Sequence, residues 1–425
     1  MKALSGCVVI VEQICPRFGG RLCAQFARPF YPGLSPILTS EPQPSGLPTA
    51  PAPCWDIFCP VVDNFGDIGV CWRLARQLVA EHGRAVRLWV DELKSARRLI
   101  PTLDPQAACQ HVDGVEIRHW VEPLVAVLPG EVVIAAFAGS LPDSFLAAMA
   151  RCTPRPRWIN LEYLSAESWV AGCHGLPSPH PALPLVQHFF FPGLDGSTGG
   201  LLREADLAAR RSQFSEDAFR RFFGLPPREP GQCLVSLFSY ENPGLGELLA
   251  SWAQGSRQVL CLVPEGRVLP GVAAWFGVSG LQPGDRVRKR NLTVTVLPFV
   301  EQSRYDELLW ACDVNFVRGE DSFVRAQWAE APFVWHIYAQ QEDAHLEKLN
   351  AFMARYLAGL SPSAARAVED FWRAWNDGEG VGACWPAFEA ALPALARHAP
   401  AWSLQLQAAG DLAGNLVRFC KVEIE

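Results

Sequence analysis

The chain of 425 residues carries 37 Lys and Arg against 44 Asp and Glu, a net charge of −7, with 49% hydrophobic residues. At roughly 150 residues per domain this length predicts two or three domains, each with its own core, and the apolar share excludes a largely disordered or fibrous chain. The negative balance argues against nucleic acid as the main partner, because neutralising phosphates takes a basic surface.

Residues 1–53 stand apart from the rest. The run MKALSGCVVIVEQ has one Lys, is cut by Glu12 and is followed by no small-residue cleavage site, so no signal peptide is read. Pro36–Pro53 holds six prolines among Ser, Thr and Ala without periodicity, the composition of a disordered lead-in. A translation start assigned too far upstream gives the same pattern, and deleting 1–53 is expected to leave activity nearly unchanged.

The globular pattern starts at Trp55. Trp55–Val62 reads as a buried strand and Ile68–His82 as a helix with apolar residues at helical spacing. Strand Ala85–Val90, helix Glu92–Leu99, strand Glu131–Phe137, helix Asp143–Arg151 and strand Arg157–Leu161 follow. Leu124–Pro142 comes nearest to a membrane span, but Pro129-Gly130-Glu131 breaks it, so the chain reads as soluble and cytoplasmic. A charge-rich helix over Arg203–Phe223 bridges to a second cycle: strand Cys233–Tyr240, helix Leu245–Ala253 and strand Gln258–Val263. Strand Leu292–Phe299, helix Arg304–Cys312, strand Val314–Val317, helix Ser322–Ala331 and strand Phe333–Tyr338 complete it, and the chain from Asp343 onward is almost wholly helical.

Alternation of this kind predicts an α/β protein with parallel sheets. Two Rossmann-like domains are expected, over 54–220 and 221–425, facing one another. Ligands of such domains sit at the carboxyl ends of strands, which places the site in the cleft between them.

Two strand-to-helix turns stand out. The first, Val61-Val62-Asp63-Asn64-Phe65-Gly66-Asp67-Ile68-Gly69, sets two carboxylates four residues apart. It is no dinucleotide fingerprint, since only Gly66-x-x-Gly69 remains of GxGxxG. Acid–base chemistry explains the pair, and helix capping explains one of the two. The second, Phe316-Val317-Arg318-Gly319-Glu320-Asp321-Ser322-Phe323, opens a helix whose N-terminal N–H groups suit a diphosphate, with Arg318 and the Ser322 hydroxyl as further donors. Capping by Asp321 or Ser322 is again the plain alternative. No Walker A sequence and no GxSxG elbow occurs.

Aromatic residues lie on the same strand ends: Phe238, Tyr240, Phe299 and Tyr338 either stack on a planar base or belong to the core. The 14 cysteines are scattered without a CxxC pair, as buried free thiols of a reducing compartment are. His174 and His180, in HGLPSPH, fit no zinc spacing.

Taken together, VVDNFGDIGVCWRLARQL, WINLEYLSAESWV, LPSPHP, FFFPG with TGGLLRE, SLFSYENP and FVRGEDSFVRAQWAEAPFVWHIY resemble the protein-arginine rhamnosyltransferases of translation elongation factor P. The resemblance runs from about Trp55 to the C-terminal helices. It implies a GT-B fold and an inverting glycosyltransferase that moves rhamnose from dTDP-β-L-rhamnose to an arginine guanidinium at a loop tip of the factor. The modified factor would then rescue ribosomes stalled at polyproline, and no metal or other cofactor is implied.

By resemblance, Asp63, Asp67 and Glu320 are the catalytic acids. Arg318, Gly319, Asp321 and Ser322 hold the donor diphosphate. Val62, Asn64, Phe65, Phe238, Tyr240, Phe299, Gln302, Tyr305 and Tyr338 surround the rest of the donor. Tyr305 stands where relatives carry Phe, and Ala135-Ala136-Phe137-Ala138-Gly139 lacks an acidic residue expected there, so nothing is assigned to it. A guanidinium with a pKa above about 12 is a poor nucleophile. A carboxylate pair can pin its N–H groups and accept a proton as the C–N bond forms, with Asp67 as base and Asp63 as orienter. The competing readings are a GT-B enzyme using another nucleotide sugar on a small molecule, and a binding protein that docks on the factor without modifying it.

Overall fold

The computed structural model describes residues 52–61, 65–121, 124, 127–339 and 344–421. The extension expected over 1–53 lies outside these, apart from Ala52 and Pro53, which already belong to the first strand, β1 (Ala52–Cys59).

β1 lies near the middle of its sheet, and Ile57, Phe58 and Cys59 are buried. A parallel strand covered on both faces reads as a continuous apolar run, as this one does. Its one charged side chain, Asp56, is fully buried and fully engaged. Arg87 donates to it through Nε and Nη2 at 2.7 and 2.6 Å, Trp89 through Nε1 at 2.8 Å, and the Gly130 N–H at 2.7 Å. These donors sit on β2 (Val86–Val90) and at the head of β5 (Gly130–Ala136), so one carboxylate ties three strands.

The first sheet runs β3-β4-β2-β1-β5-β6-β8-β7, with β3 (Cys109–Val112), β4 (Val115–His119), β6 (Arg157–Leu161), β7 (Pro177–Pro179) and β8 (Val186–Phe190). Only the edge strands β3 and β7 are antiparallel to their neighbours. Helices α1 (Gly66–His82), α2 (Leu93–Leu99), α3 (Asp143–Arg151) and the single turn α4 (Val170–Cys173) accompany it.

The second sheet runs β11-β12-β10-β9-β13-β14. Its strands are β9 (Cys233–Leu237), β10 (Val259–Pro264), β11 (Arg286–Lys289), β12 (Leu292–Leu297), β13 (Val314–Arg318) and β14 (Phe333–His336), parallel except for β11. The bridge expected as one helix is two, α5 (Leu207–Ser212) and α6 (Glu216–Phe222), because Ser215 leaves helical geometry and its hydroxyl accepts the Ala218 N–H at 3.3 Å. Phe219 of α6 packs in the second core, so that core takes in residues ahead of the expected boundary at 220.

Around the second sheet lie α7 (Leu245–Gln254), α8 (Leu269–Phe276), α9 (Gln302–Ala311), α10 (Asp321–Trp328) and the C-terminal helices α11 (Ala344–Tyr356), α12 (Pro362–Asp377) and α13 (Val381–Gln407). Phe352, Tyr356, Trp372 and Trp402 of those helices form one buried aromatic layer against Phe333.

The last helix, α14 (Leu412–Lys421), crosses back. Leu412, Ala413, Leu416 and Val417 join the first core, and Gln77 of α1 donates to Asp411 at 3.1 Å. The C-terminal domain expected over 221–425 therefore gives up its final helix to the other half, whose apolar surface beside α1 the helix covers. With the carboxyl ends of the two sheets meeting, this is the GT-B architecture that the resemblance implies. Among the described residues no helix is long and apolar enough to cross a membrane.

Candidate active site

Asp67 is the second residue of α1, buried, and it does not cap the helix: Phe65 occupies the cap position and makes no side-chain capping bond. Instead Asp67 Oδ1 accepts the phenol hydroxyl of Tyr163 at 3.2 Å. Its expected companions Val62, Asp63 and Asn64 lie outside the described residues.

On the facing wall, β13 ends at Arg318, and Gly319 adopts φ +60°, a left-handed conformation that suits glycine. Glu320 then occupies the N-cap position of α10 without capping it. The capping alternative fails here too, because each side chain has another partner. The Ser322 hydroxyl accepts the Arg318 N–H at 3.0 Å and donates to the Arg318 carbonyl. That hydroxyl staples the turn, so of the donors expected from Ser322 only the backbone N–H remains for a ligand. Glu320 Oε2 accepts the Leu164 N–H at 3.0 Å.

Asp321 reaches across to the first half of the chain. Arg73 of α1 donates through Nε to Oδ1 at 2.8 Å, and Gln302 donates through Nε2 to Oδ2 at 3.1 Å and to the Gly69 carbonyl at 2.8 Å. The same Arg73 binds Glu204 at 3.2 Å and the Gln302 carbonyl at 3.2 Å. Glu204 also takes Arg325 at 2.6 Å, and Arg325 grips Asp306 with two bonds of 2.7 Å. Burial alone would push the Glu204 carboxyl up, but Arg325 and Arg73 hold it well below the usual carboxylate range. The side chains of Asp321 and Gln302, expected on the donor, thus clamp the two halves together. Gln302 Oε1 stays buried with no partner among the described residues.

Between these walls lies a cleft of about 650 Å³, open mouth included, lined by Phe65, Phe238, Phe299, Gln302 and Tyr305 together with Arg318, Gly319, Asp321 and Ser322. The Arg318 guanidinium lies 4.5 Å from the Phe238 ring centre and 4.7 Å from that of Tyr240, a doubly stacked cation. Phe238 meets Tyr305 edge-on at 5.7 Å, and Tyr240 meets Tyr338 at 5.5 Å just beside the cleft. At the mouth Phe65 and Phe299 touch from opposite halves, 5.2 Å between centres, and Arg98 pairs with Glu265 at 2.9 Å over them.

Burial pushes the Glu320 carboxyl up to about 8, the charges of Asp67 and Asp321 adding to it while the Leu164 N–H and Lys348 oppose. Burial likewise raises Glu162, to about 7, against the Asn160 amide and Lys348. Among the described residues no three His, Cys, Asp or Glu side chains gather as a metal-binding cluster.

The residues that join the walls, Arg73, Glu204, Tyr163 and Leu164, were not singled out from the sequence, although each lies inside a quoted motif. The signal was their membership of the long motifs.

The chain matches, over residues 55–421, the family described as Elongation-Factor P (EF-P) rhamnosyltransferase EarP. It is 53% identical over 369 residues to the protein-arginine rhamnosyltransferase of Pseudomonas putida, covering 86% of this chain and 98% of that one. To its counterpart in Pseudomonas aeruginosa it is 50% identical over 370 residues, 86% and 98% of the two chains. The Neisseria meningitidis serogroup B protein of the same name is 36% identical over 374 residues, 84% and 94%. A solved structure concerned with EarP-mediated arginine glycosylation of translation elongation factor EF-P superposes with a TM-score of 0.62 at 40% identity, over 86% of this chain and 98% of that one.

Proposed function

The chain belongs to the elongation-factor-P rhamnosyltransferase family, and on that premise we propose that it transfers rhamnose from dTDP-β-L-rhamnose, with inversion, to a guanidinium nitrogen of one arginine at a loop tip of translation elongation factor P. The observation that carries the reading is the approach of Asp67 and Glu320, bound by the adjacent residues Tyr163 and Leu164, beside a cleft that Arg318, Gly319, Asp321 and Ser322 line.

In this reading the C1–O bond to the diphosphate breaks as the N–C1 bond forms on the opposite face of the sugar. The proton released by the nitrogen passes to Asp67, with Asp63 orienting the guanidinium, and dTDP departs with the bonding electrons. Its charge is met by the stacked Arg318 and the first-turn N–H groups of α10, which have no acceptor within their own helix, so no metal is invoked. Phe238, Tyr240 and Tyr338 offer faces to the thymine. Gln302 has its amide hydrogens directed at Gly69 and Asp321, which leaves Oε1, without a partner among the described residues, as the acceptor we assign to a donor N–H or O–H.

With its carboxyl raised to about 8, Glu320 can hold or release a proton near neutral pH, which suits a group set beside developing sugar charge. The product is the factor competent to rescue ribosomes stalled at polyproline, and the enzyme works in the cytoplasm, where that factor acts.

Mass spectrometry of the factor after incubation with the protein and dTDP-rhamnose tests this: one deoxyhexose on one arginine is expected, and an unmodified factor removes the reading. A thermal shift that favours a UDP- or GDP-sugar over dTDP-rhamnose would point to a different donor.

A further inference from the structure

Tyr163 and Leu164 lie one residue, Glu162, beyond the end of β6 at the carboxyl edge of the first sheet, and the two adjacent residues reach the carboxylates Asp67 and Glu320. The Tyr163 hydroxyl donates to Asp67 Oδ1 at 3.2 Å, and the Leu164 N–H donates to Glu320 Oε2 at 3.0 Å. Because Tyr163 and Leu164 are adjacent, one short piece of backbone contacts both acids, in addition to the Arg73–Asp321 contact between the two halves.

The support beneath that piece is costly. Phe137 and Ala138, just past the end of β5, adopt φ values of +56° and +55°, a left-handed geometry that disfavours residues with side chains. The turn is anchored by the Phe137 N–H on the Leu161 carbonyl at 2.7 Å. It lays the Phe137 ring flat on the Tyr163 ring, 4.5 Å between centres and 20° between planes. From the other half of the chain the Lys348 ammonium lies 5.8 Å from the centre of the same ring. An ordinary core tyrosine needs neither a strained platform nor an acidic partner at a cleft.

Resting on the transferase reading above, we propose that Tyr163 is a positioning residue: its phenol fixes the Asp67 carboxylate in the rotamer that takes the acceptor proton, in register with Glu320 held by the next N–H. One oxygen of Asp67 is then committed to the phenol, which sets the plane of the carboxylate. This also gives the Ala135–Gly139 turn, to which the sequence assigned nothing, a use as the platform of the device.

The test is Tyr163→Phe, which keeps the ring on Phe137 and deletes only the hydroxyl. Rhamnosyl transfer to the elongation factor is measured at varied donor and acceptor, with dTDP binding and thermal melting followed on the same preparations. The expected result is a kcat lowered 10- to 100-fold, with both KM values within twofold of wild type and with dTDP binding and melting temperature unchanged. An unchanged kcat overturns the proposal, and so does a fall in kcat matched by loss of dTDP binding or of melting temperature, which would make Tyr163 a packing residue. If wild-type protein transfers rhamnose and the variant matches it, only the positioning role falls. If wild-type protein transfers nothing, the transferase reading falls and the positioning role with it.

Discussion

Arg73 of α1 and Asp321 of α10 are 248 residues apart in sequence and meet as an ion pair, Nε to Oδ1 at 2.8 Å. Arg73 is almost wholly buried, and its remaining donors go to Glu204 and to the Gln302 carbonyl. The pair therefore fixes where the Arg318–Ser322 turn stands relative to Asp67. Domain orientation in this protein is set by a desolvated ionic network as well as by apolar contact.

Removing one partner of such a network leaves its neighbours charged and buried, at a cost of about 3–5 kcal/mol. Arg73→Ala is expected to lose stability of about that size in a denaturant melt and to raise the donor KM, because the turn is no longer indexed. Arg73→Lys recovers only part, since an ammonium cannot reach three acceptors in a planar fork. Wild-type stability in Arg73→Ala would show the network to be ornamental.

The two acids of the first turn are expected to matter for chemistry and not for folding. Asp67→Asn and Asp63→Asn should each melt normally and bind dTDP, while transfer drops by about 10²–10⁴-fold, the usual worth of a positioned general base. Full turnover in both variants would take the carboxylates out of the mechanism.

Glu320 gives a pH signature of definite sign. Its carboxyl titrates at about 8 in the folded chain, above the ordinary carboxylate range it has when unfolded. The folded state thus favours the neutral form, and the stability this confers at low pH is lost as pH rises through that value. Glu320→Gln removes the charge and keeps an acceptor for the Leu164 N–H. The variant is expected to melt with the wild type near pH 4 and a few degrees above it at pH 9, about the shift that 1–2 kcal/mol gives a domain of this size. Burial raises Glu162 in both proteins, so its titration cancels. A melting difference that does not grow with pH would refute the enclosure of this carboxyl.

Much of the fold is legible locally. The fully buried strands β9, β10 and β13 and the buried stretch of β1 from Trp55 are mostly apolar runs, and helices such as α3 show their apolar face at helical spacing. What was not read has particular causes. The β3–β4 hairpin turns through Asp113 and Gly114, both at positive φ, a dipeptide that signals such a turn, but its edge strands alternate too weakly to stand out. Strand β7 is three residues long with proline at both ends. Helix α14 shows an apolar face, but nothing in that face says that it covers α1 rather than its neighbours in sequence.

The same division runs through the candidate site. Which turns border the candidate site was legible, because charged residues gather where apolar strands stop, and long motifs around them pointed to one family. The chain by itself therefore determined the order and type of most elements, the two turns and the acids and aromatics that the cleft displays. Only the tertiary structure decided what each side chain does there. Asp321 and Gln302 line the cleft and also clamp the two halves, the Ser322 hydroxyl closes its own turn, and Tyr163 is brought to Asp67. The reason is physical: a buried charge or donor takes whichever partner offsets its loss of water, and here those partners lie as far as 248 residues along the chain.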